Sequence, residues 1–141
     1  MVATLGSINA RMLTLRLSPE PASATRAREV TRSHIRETCP PDVVDTAALL
    51  VTELVSNVVL HALTDMLLVI DVAPGRVELA VQDGSPDLPA LQDNAVDALG
   101  GRGLAIVDEL ATEWGVEEQH GKKVVWAALV FPAPAGAVSG R

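Results

Sequence analysis

The sequence predicts an α/β fold, a two-layer sandwich in which a mostly antiparallel sheet carries helices on one face. Three observations predict it. Along 141 residues, the size of one domain, the elements run strand, helix, helix, two strands, loop, helix, two strands. Both strand pairs are joined by short turns, at Ala73-Pro74-Gly75 and at His120-Gly121, and hairpins rather than crossovers build an antiparallel sheet. Hydrophobic residues make up 48% of the chain against 21% charged, enough apolar surface for a real core.

Residues 1–10 have no period and read as a flexible N-terminus, before a domain over 11–131. Arg11 to Leu17 alternates, with Met12 or Leu13, Leu15 and Leu17 against Arg11, Thr14 and Arg16, which suits a half-buried strand. After Ser18-Pro19-Glu20-Pro21, the stretch from Ala22 to Thr38 places Val30, His34 and Ile35 at helical spacings among arginines, and Pro40-Pro41 ends it. Asp42 is the expected cap of a second helix running to about Ala62, roughly 30 Å long. That helix is apolar on nearly every side, so it belongs inside a packed layer. Met66 to Val72 and Arg76 to Val81 form the first hairpin, and Gln82 to Pro86 breaks the chain sharply. Asp87 to Leu99 reads as a surface loop. Gly100-Gly101-Arg102-Gly103 opens a helix through Leu104, Ile106, Val107 and Leu110, and Trp114 to Glu118 with Lys123 to Phe131 closes the sheet. Residues 132–141 are rich in Pro, Ala, Gly and Ser and read as a disordered tail.

Composition excludes several functions. Eleven basic against eighteen acidic residues give a net charge of −7, opposite to what a phosphate backbone requires, and 2% aromatics leave no base-stacking platform. Neither a nucleic-acid partner nor a membrane is expected, the apolar runs reading as too short to span a bilayer. One cysteine, Cys39, makes neither a disulfide nor a cysteine zinc site and reads as a structural thiol. The expected location is the cytoplasm.

Three groups of polar residues stand out. Glu53, Asn57 and His61 are spaced by four in the buried helix, which puts them on one stripe of an apolar rod. Burying even a neutral polar group without partners costs on the order of 2–7 kcal/mol, so a stripe flanked by Leu54, Val55, Val58 and Leu60 calls for a reason. A solvent-facing stripe is the plain explanation for any one of them; the triple is harder to dismiss. A Glu and an Asn one turn apart supply a base and an oxygen ligand of the kind Mg2+ accepts. Asp83-Gly84 after a strand offers a fixed acceptor with room beside it, though Asp-Gly-Ser-Pro is also a common turn. Gly101-Arg102-Gly103 at a helix start offers N–H groups, a positive dipole end and a cation to an anion, though alone it is a plain glycine-rich loop. A base with a metal ligand, an acceptor for a donor-bearing ring and a phosphate-binding helix start are together what an Mg-nucleotide requires.

These residues resemble a known superfamily. Glu53-Leu54-Val55-Ser56-Asn57-Val58-Val59-Leu60-His61-Ala62 is similar to the N box of the ATPases that include gyrase, the ninety-kilodalton heat-shock chaperones, mismatch-repair ATPases and histidine kinases. Asp83-Gly84-Ser85-Pro86 resembles its first glycine box, and Gly101-Arg102-Gly103-Leu104-Ala105-Ile106-Val107-Asp108 its second. Trp114-Gly115 and the closing Gly121-Lys122 with Val125-Trp126 resemble the small anti-sigma-factor serine kinases of actinobacterial type. The resemblance spans about Leu13 to Phe131, and the ordered set of boxes is far more specific than any one of them. It implies the Bergerat ATP-binding fold, with ATP and Mg2+ as cofactors. It assigns Mg2+ ligation to Asn57, a general base or water positioner to Glu53, the adenine amino group to Asp83 and space for the ring to Gly84. His61 joins the nucleotide site with the N box, and Gly101, Arg102, Gly103 and Leu104 join it at the phosphates. Proteins of this type transfer the γ-phosphate to a serine of an antagonist (STAS-type) protein, sequester a sigma factor when free, and often form homodimers.

The chain departs from that pattern twice. Relatives carry a Thr or Ser just before Val-Trp in the last strand; the motif alignment puts Val124 there, preceded by Lys123. The loop from Asp87 to Leu99 carries Asp87, Asp93 and Asp97 and no Lys or Arg to clamp a γ-phosphate. The leading expectation is therefore an ATP/Mg-binding anti-sigma-type serine kinase. The alternative is a nucleotide-binding or nucleotide-free protein-interaction module without kinase activity. A detached sensor-kinase domain is disfavoured, the chain having no room for the dimerisation helices that carry an acceptor histidine.

Overall fold

The computed structural model of the protein describes residues 11–84 and 102–133, leaving aside the side chains of positions 102 and 103. The expected flexible start, the loop Asp87 to Leu99, Gly101 and residues 134–141 of the expected tail lie outside the described residues.

Strands β1 (Met12–Leu17), β2 (Met66–Ala73), β3 (Arg76–Asp83), β4 (Glu113–Gln119) and β5 (Lys122–Val130) form a sheet in the order β1-β2-β3-β5-β4. Every neighbouring pair is antiparallel, as the hairpins predict. Alternation assigns the faces. Leu68 and Ile70 of β2, Leu79 and Val81 of β3, and Val125 and Ala127 of β5 are buried toward the helix layer. The same face continues to the strand ends as Asp83 on β3 and Lys123 on β5, two charged residues placed where the pattern calls for apolar ones.

The turns follow from their residues. In the β2–β3 turn Pro74 precedes Gly75 at φ 79, the pairing a type II turn requires; in the β4–β5 turn His120 and Gly121 both have positive φ, 54 and 78, as a type I′ turn requires. Gly75 has a second constraint. A Cβ there would lie 2.9 Å from the Phe131 carbonyl oxygen, while the Phe131 N–H donates to the Gly75 carbonyl at 2.9 Å, so the chain leaving β5 is strapped over the turn. Gly75→Ala is expected to cost about 1–2 kcal/mol for the left-handed backbone alone, with more for moving Phe131. A thermal melt checks this, and an unchanged Tm would show that the strap yields freely.

Helix α1 (Pro21–Ile35) packs on helix α2 (Pro41–Asn57), which also meets helix α3 (Arg102–Leu110), β3 and β5. The face of α1 that is buried consists of Ser23, Ala27, Thr31 and Ile35, a four-residue repeat of mostly small side chains, whereas Val30 and His34 of the expected apolar face are only half-buried. Small residues let the two helices approach closely, which a reading by hydropathy does not register. Helix α2 begins two residues earlier than expected, and Asp42 is not its cap: Pro40 holds the cap position and Pro41 the first turn, where a missing N–H is no loss. Asp42 instead lies in the first turn, its charge at the positive end of the dipole.

The helix expected to run to Ala62 is α-helical only to Asn57; Val58–Ala62 is a π-helical turn closed by Leu63 in the left-handed region at φ 58, with the Leu63 N–H donating to the Val58 carbonyl. And from Pro41 to Ala62 the helical run is 22 residues, long and apolar enough by length and composition to cross a membrane, contrary to the expectation of short apolar runs. Half of its most apolar window is buried within the fold, and a helix enclosed by α1, α3 and the sheet has that composition without a bilayer. Cys39 is buried below the end of α1, where burial pushes its thiol pKa up and a contact with the Thr38 hydroxyl opposes the shift.

Candidate functional site

Asp83 is the last residue of β3. Its relative exposure is 1%, and Lys123, directly opposite in the β3–β5 register, is 5% exposed with its ammonium 3.4 Å from Asp83 Oδ2. The chain then turns out at Gly84, whose N–H donates to the Thr64 hydroxyl at 3.0 Å. A Cβ on Gly84 would meet Thr64 at 3.7 Å, an ordinary contact, so this glycine is not forced by its described neighbours. Arg16, Asp65, Met66, Leu67, Gln82 and Lys122 line a small cleft of about 100 Å3 with Asp83 and Gly84.

Lys123 and Thr64 are the residues that motif reading missed. Val124 pairs with Gln82 and lies on the open face of the sheet, while Lys123 faces the helix layer beside Asp83. A step of one residue along a strand changes the face, so of these two neighbours only Lys123 is on the side of Asp83. A lysine that continues the inward-facing positions of Val125 and Ala127 was the available signal.

On α2, Glu53 is half-buried and Asn57, the last α-helical residue, is 8% exposed. The Asn57 side-chain nitrogen is buried with no hydrogen-bond partner among the described residues. The following π turn bonds each N–H one residue further back than an α-helix does, so the spacing of four no longer carries the stripe from Asn57 to His61. His61 is exposed. At the start of α3, Arg102 and Gly103 open the helix, and Leu104 is fully buried in the core, where it anchors the helix start. Helix α2 packs against α3, β3 and β5, and thereby joins the elements that carry Asn57, Arg102–Leu104, Asp83 and Lys123.

Among the described residues no three His, Cys, Asp or Glu side chains gather as a metal centre. The Asn57 carboxamide leaves a buried polar atom unused among the described residues, and a half-turn about its terminal torsion presents oxygen where nitrogen now stands. That donor set fits Mg2+ held by one amide oxygen, with waters and ligand phosphates completing its shell. A larger cleft of about 360 Å3 lies on the open face of the sheet between Val69, Ala80, Val124 and Trp126. Glu78 and Glu117 line it, and no Lys or Arg is among its lining residues, which makes it a poor seat for a triphosphate.

A family model for the histidine kinase-like ATPase domain matches residues 17–129. The chain belongs to that family. Among solved structures, the chain is similar in fold to "The crystal structure of the RsbU and RsbW domains of Rv1364c from Mycobacterium tuberculosis", at 18% identity and a TM-score of 0.65. The match covers 88% of this chain and 33% of that one, so this ATPase domain spans about a third of the other protein's length, and at that identity the likeness is one of fold. Among curated proteins nothing matches the chain. The expected two-layer α/β architecture is thus present both in the sheet order and in the neighbour.

Two of the expected motifs have a packing role in this ATPase domain. Gly115 and Trp126 are cross-strand partners on the open face, and a Cβ on Gly115 would lie 2.9 Å from the indole nitrogen, so the ring lies over bare backbone. Trp114 donates its indole N–H to Asp108 at 2.8 Å, tying β4 to α3.

Proposed function

We propose that this ATPase-family domain is an anti-sigma-type protein kinase of the cytoplasm, binding ATP with Mg2+ and transferring the γ-phosphate to a serine of a STAS-type antagonist protein. Through that partner it controls a sigma factor by partner switching. The observation that carries the reading is Asn57, a buried carboxamide with an unused polar atom, on the helix that joins the acceptor strand to the glycine-opened helix. The fold likeness to a structure that holds an RsbW domain, and the sequence resemblance to anti-sigma-factor serine kinases, support it.

In this reading Asp83 accepts a hydrogen bond from the base amino group and Gly84 leaves room for the ring. Gly101, Arg102 and Gly103 hold the phosphates with N–H groups and charge, while Leu104 fixes the helix start from within the core. Asn57 would hold the magnesium ion, which when bound neutralises phosphate charge. Glu53, one turn before Asn57 and half-buried, takes the proton of the attacking serine hydroxyl or orients it. The exposed His61 is given no step.

Incubation of the protein with γ-labelled ATP, Mg2+ and a STAS-type antagonist domain tests the proposal. Label on a serine of the antagonist, lost in Glu53→Gln, is the expected result. Tight ATP binding without transfer would overturn it in favour of a protein-interaction module without kinase activity. That second reading is favoured by one observation, the ammonium already placed on Asp83.

A further inference from the structure

The Asp83–Lys123 pair has a place in the fold that an ordinary surface ion pair does not. The side chain of Asp83 is 0% exposed and that of Lys123 6%, so both charges lie out of water. The β3–β5 register makes the pairing obligatory, since residues directly opposite on one face bring their Cβ atoms about 4.5–5.5 Å apart. A lysine ammonium donates three hydrogen bonds and accepts none, as the amino group of a nucleobase donates and does not accept. We propose that Lys123 is an internal occupant of the base-acceptor site: its ammonium stands on Asp83 in the nucleotide-free protein and has to leave it when a base amino group binds. This rests on the reading of Asp83 as the acceptor for the base.

The same strand supplies a place for the ammonium to go. Lys123 is paired on its other side with Glu118 of β4, which faces the helix layer as Lys123 does and is exposed. Lys123 thus stands between two carboxylates, one buried and one in water. Separating a buried pair is costly because each charge loses its partner in a dry place. An incoming amino group replaces the ammonium on Asp83, and the displaced ammonium, on a flexible four-carbon stem, gains water and Glu118. Nucleotide affinity is therefore set by a competition within the chain, and Lys123 is an affinity-determining residue.

The test is calorimetric titration with Mg-ATP of the wild type, Lys123→Thr and Lys123→Met, with folding of each checked by circular dichroism. The expected result is ATP binding about tenfold tighter in both variants, a change equal to about 1.4 kcal/mol. ATP should also raise their melting temperatures by more than it raises that of the wild type. Wild-type binding that both folded variants merely reproduce, or weaken, overturns the inference and leaves the ATP-binding reading standing. No binding by any of the three at millimolar ATP overturns the base-acceptor reading itself, and the inference with it. Should the variants fail to fold, the wild type answers alone, because Lys122 and Lys123 are the only lysines in the sequence. In lysine-labelled protein the Lys123 side-chain resonance is expected to move toward that of exposed Lys122 as ATP saturates the site, and a resonance that stays in place overturns the inference.

Discussion

Asn57→Ala is expected to lower magnesium-dependent ATP affinity by about a hundredfold, roughly 2.7 kcal/mol, while leaving the melting temperature of the free protein within about 2 °C of the wild type. The two halves come from one observation. The Asn57 carboxamide is buried, yet its nitrogen bonds to nothing among the described residues. A buried polar atom without a partner contributes desolvation cost and no hydrogen bond, so its removal relieves the free protein of a penalty on the order of 1–3 kcal/mol. That relief offsets the packing lost with the side chain. A bound Mg-nucleotide, by contrast, loses the one amide oxygen this helix offers. Calorimetry with and without Mg2+ reads the first half and a thermal melt the second. Retained magnesium-dependent binding would remove Asn57 from the site. A melting temperature lowered by many degrees would make it a structural residue whose partner is a group of the protein.

How far the site was legible depended on whether the signal was a period or a face. The apolar run of α2 and the Pro-Gly and His-Gly turns are marked by rules that act over a few residues; the two hairpins stand where they were expected, and α2 does so apart from its two ends. The π turn at Val58–Ala62 was not legible, since an extra residue in a turn leaves no mark on an all-apolar stretch such as Val58-Val59-Leu60. His61 was placed on the Glu53–Asn57 stripe for that reason. The buried stripe of α1 was hidden because Ser23 and Thr31 count as polar in any hydropathy pattern, and they are buried for their size. Thr31 even leaves its hydroxyl without a partner among the described residues.

Lys123 was the more instructive miss. Its type was visible, but its role follows from the register of β3 against β5, and pairing between strands some forty positions apart in sequence is set by the whole sheet. Motif alignment ranks residues by order along the chain; a strand sorts them by side. Val124 and Lys123 are neighbours by the first measure and lie on opposite faces of the sheet by the second.

Leu50→Ala separates the structural task of α2 from its proposed ligand-binding one. Leu50 is 0% exposed and lies in the middle of a helix that packs against α1, α3 and the sheet. Truncating a leucine in such a place leaves a cavity that the surrounding elements close only in part, and the expected loss is about 2–5 kcal/mol. Against a total stability of roughly 5–15 kcal/mol for a domain, that is a large share. At about 3 °C per kcal/mol the melting temperature falls by roughly 6–15 °C. Leu50 lies about two turns before Asn57 and carries no polar atom, so the folded fraction should bind Mg-ATP as the wild type does, and ATP should raise its melting temperature by the same increment. This is the reverse of what Asn57→Ala is expected to show, where folding holds and binding fails. If Leu50→Ala lost ATP affinity in proportion to its stability, the ligand would be reading the packing of α2 as a whole, and Asn57 would be one of several residues the packing positions.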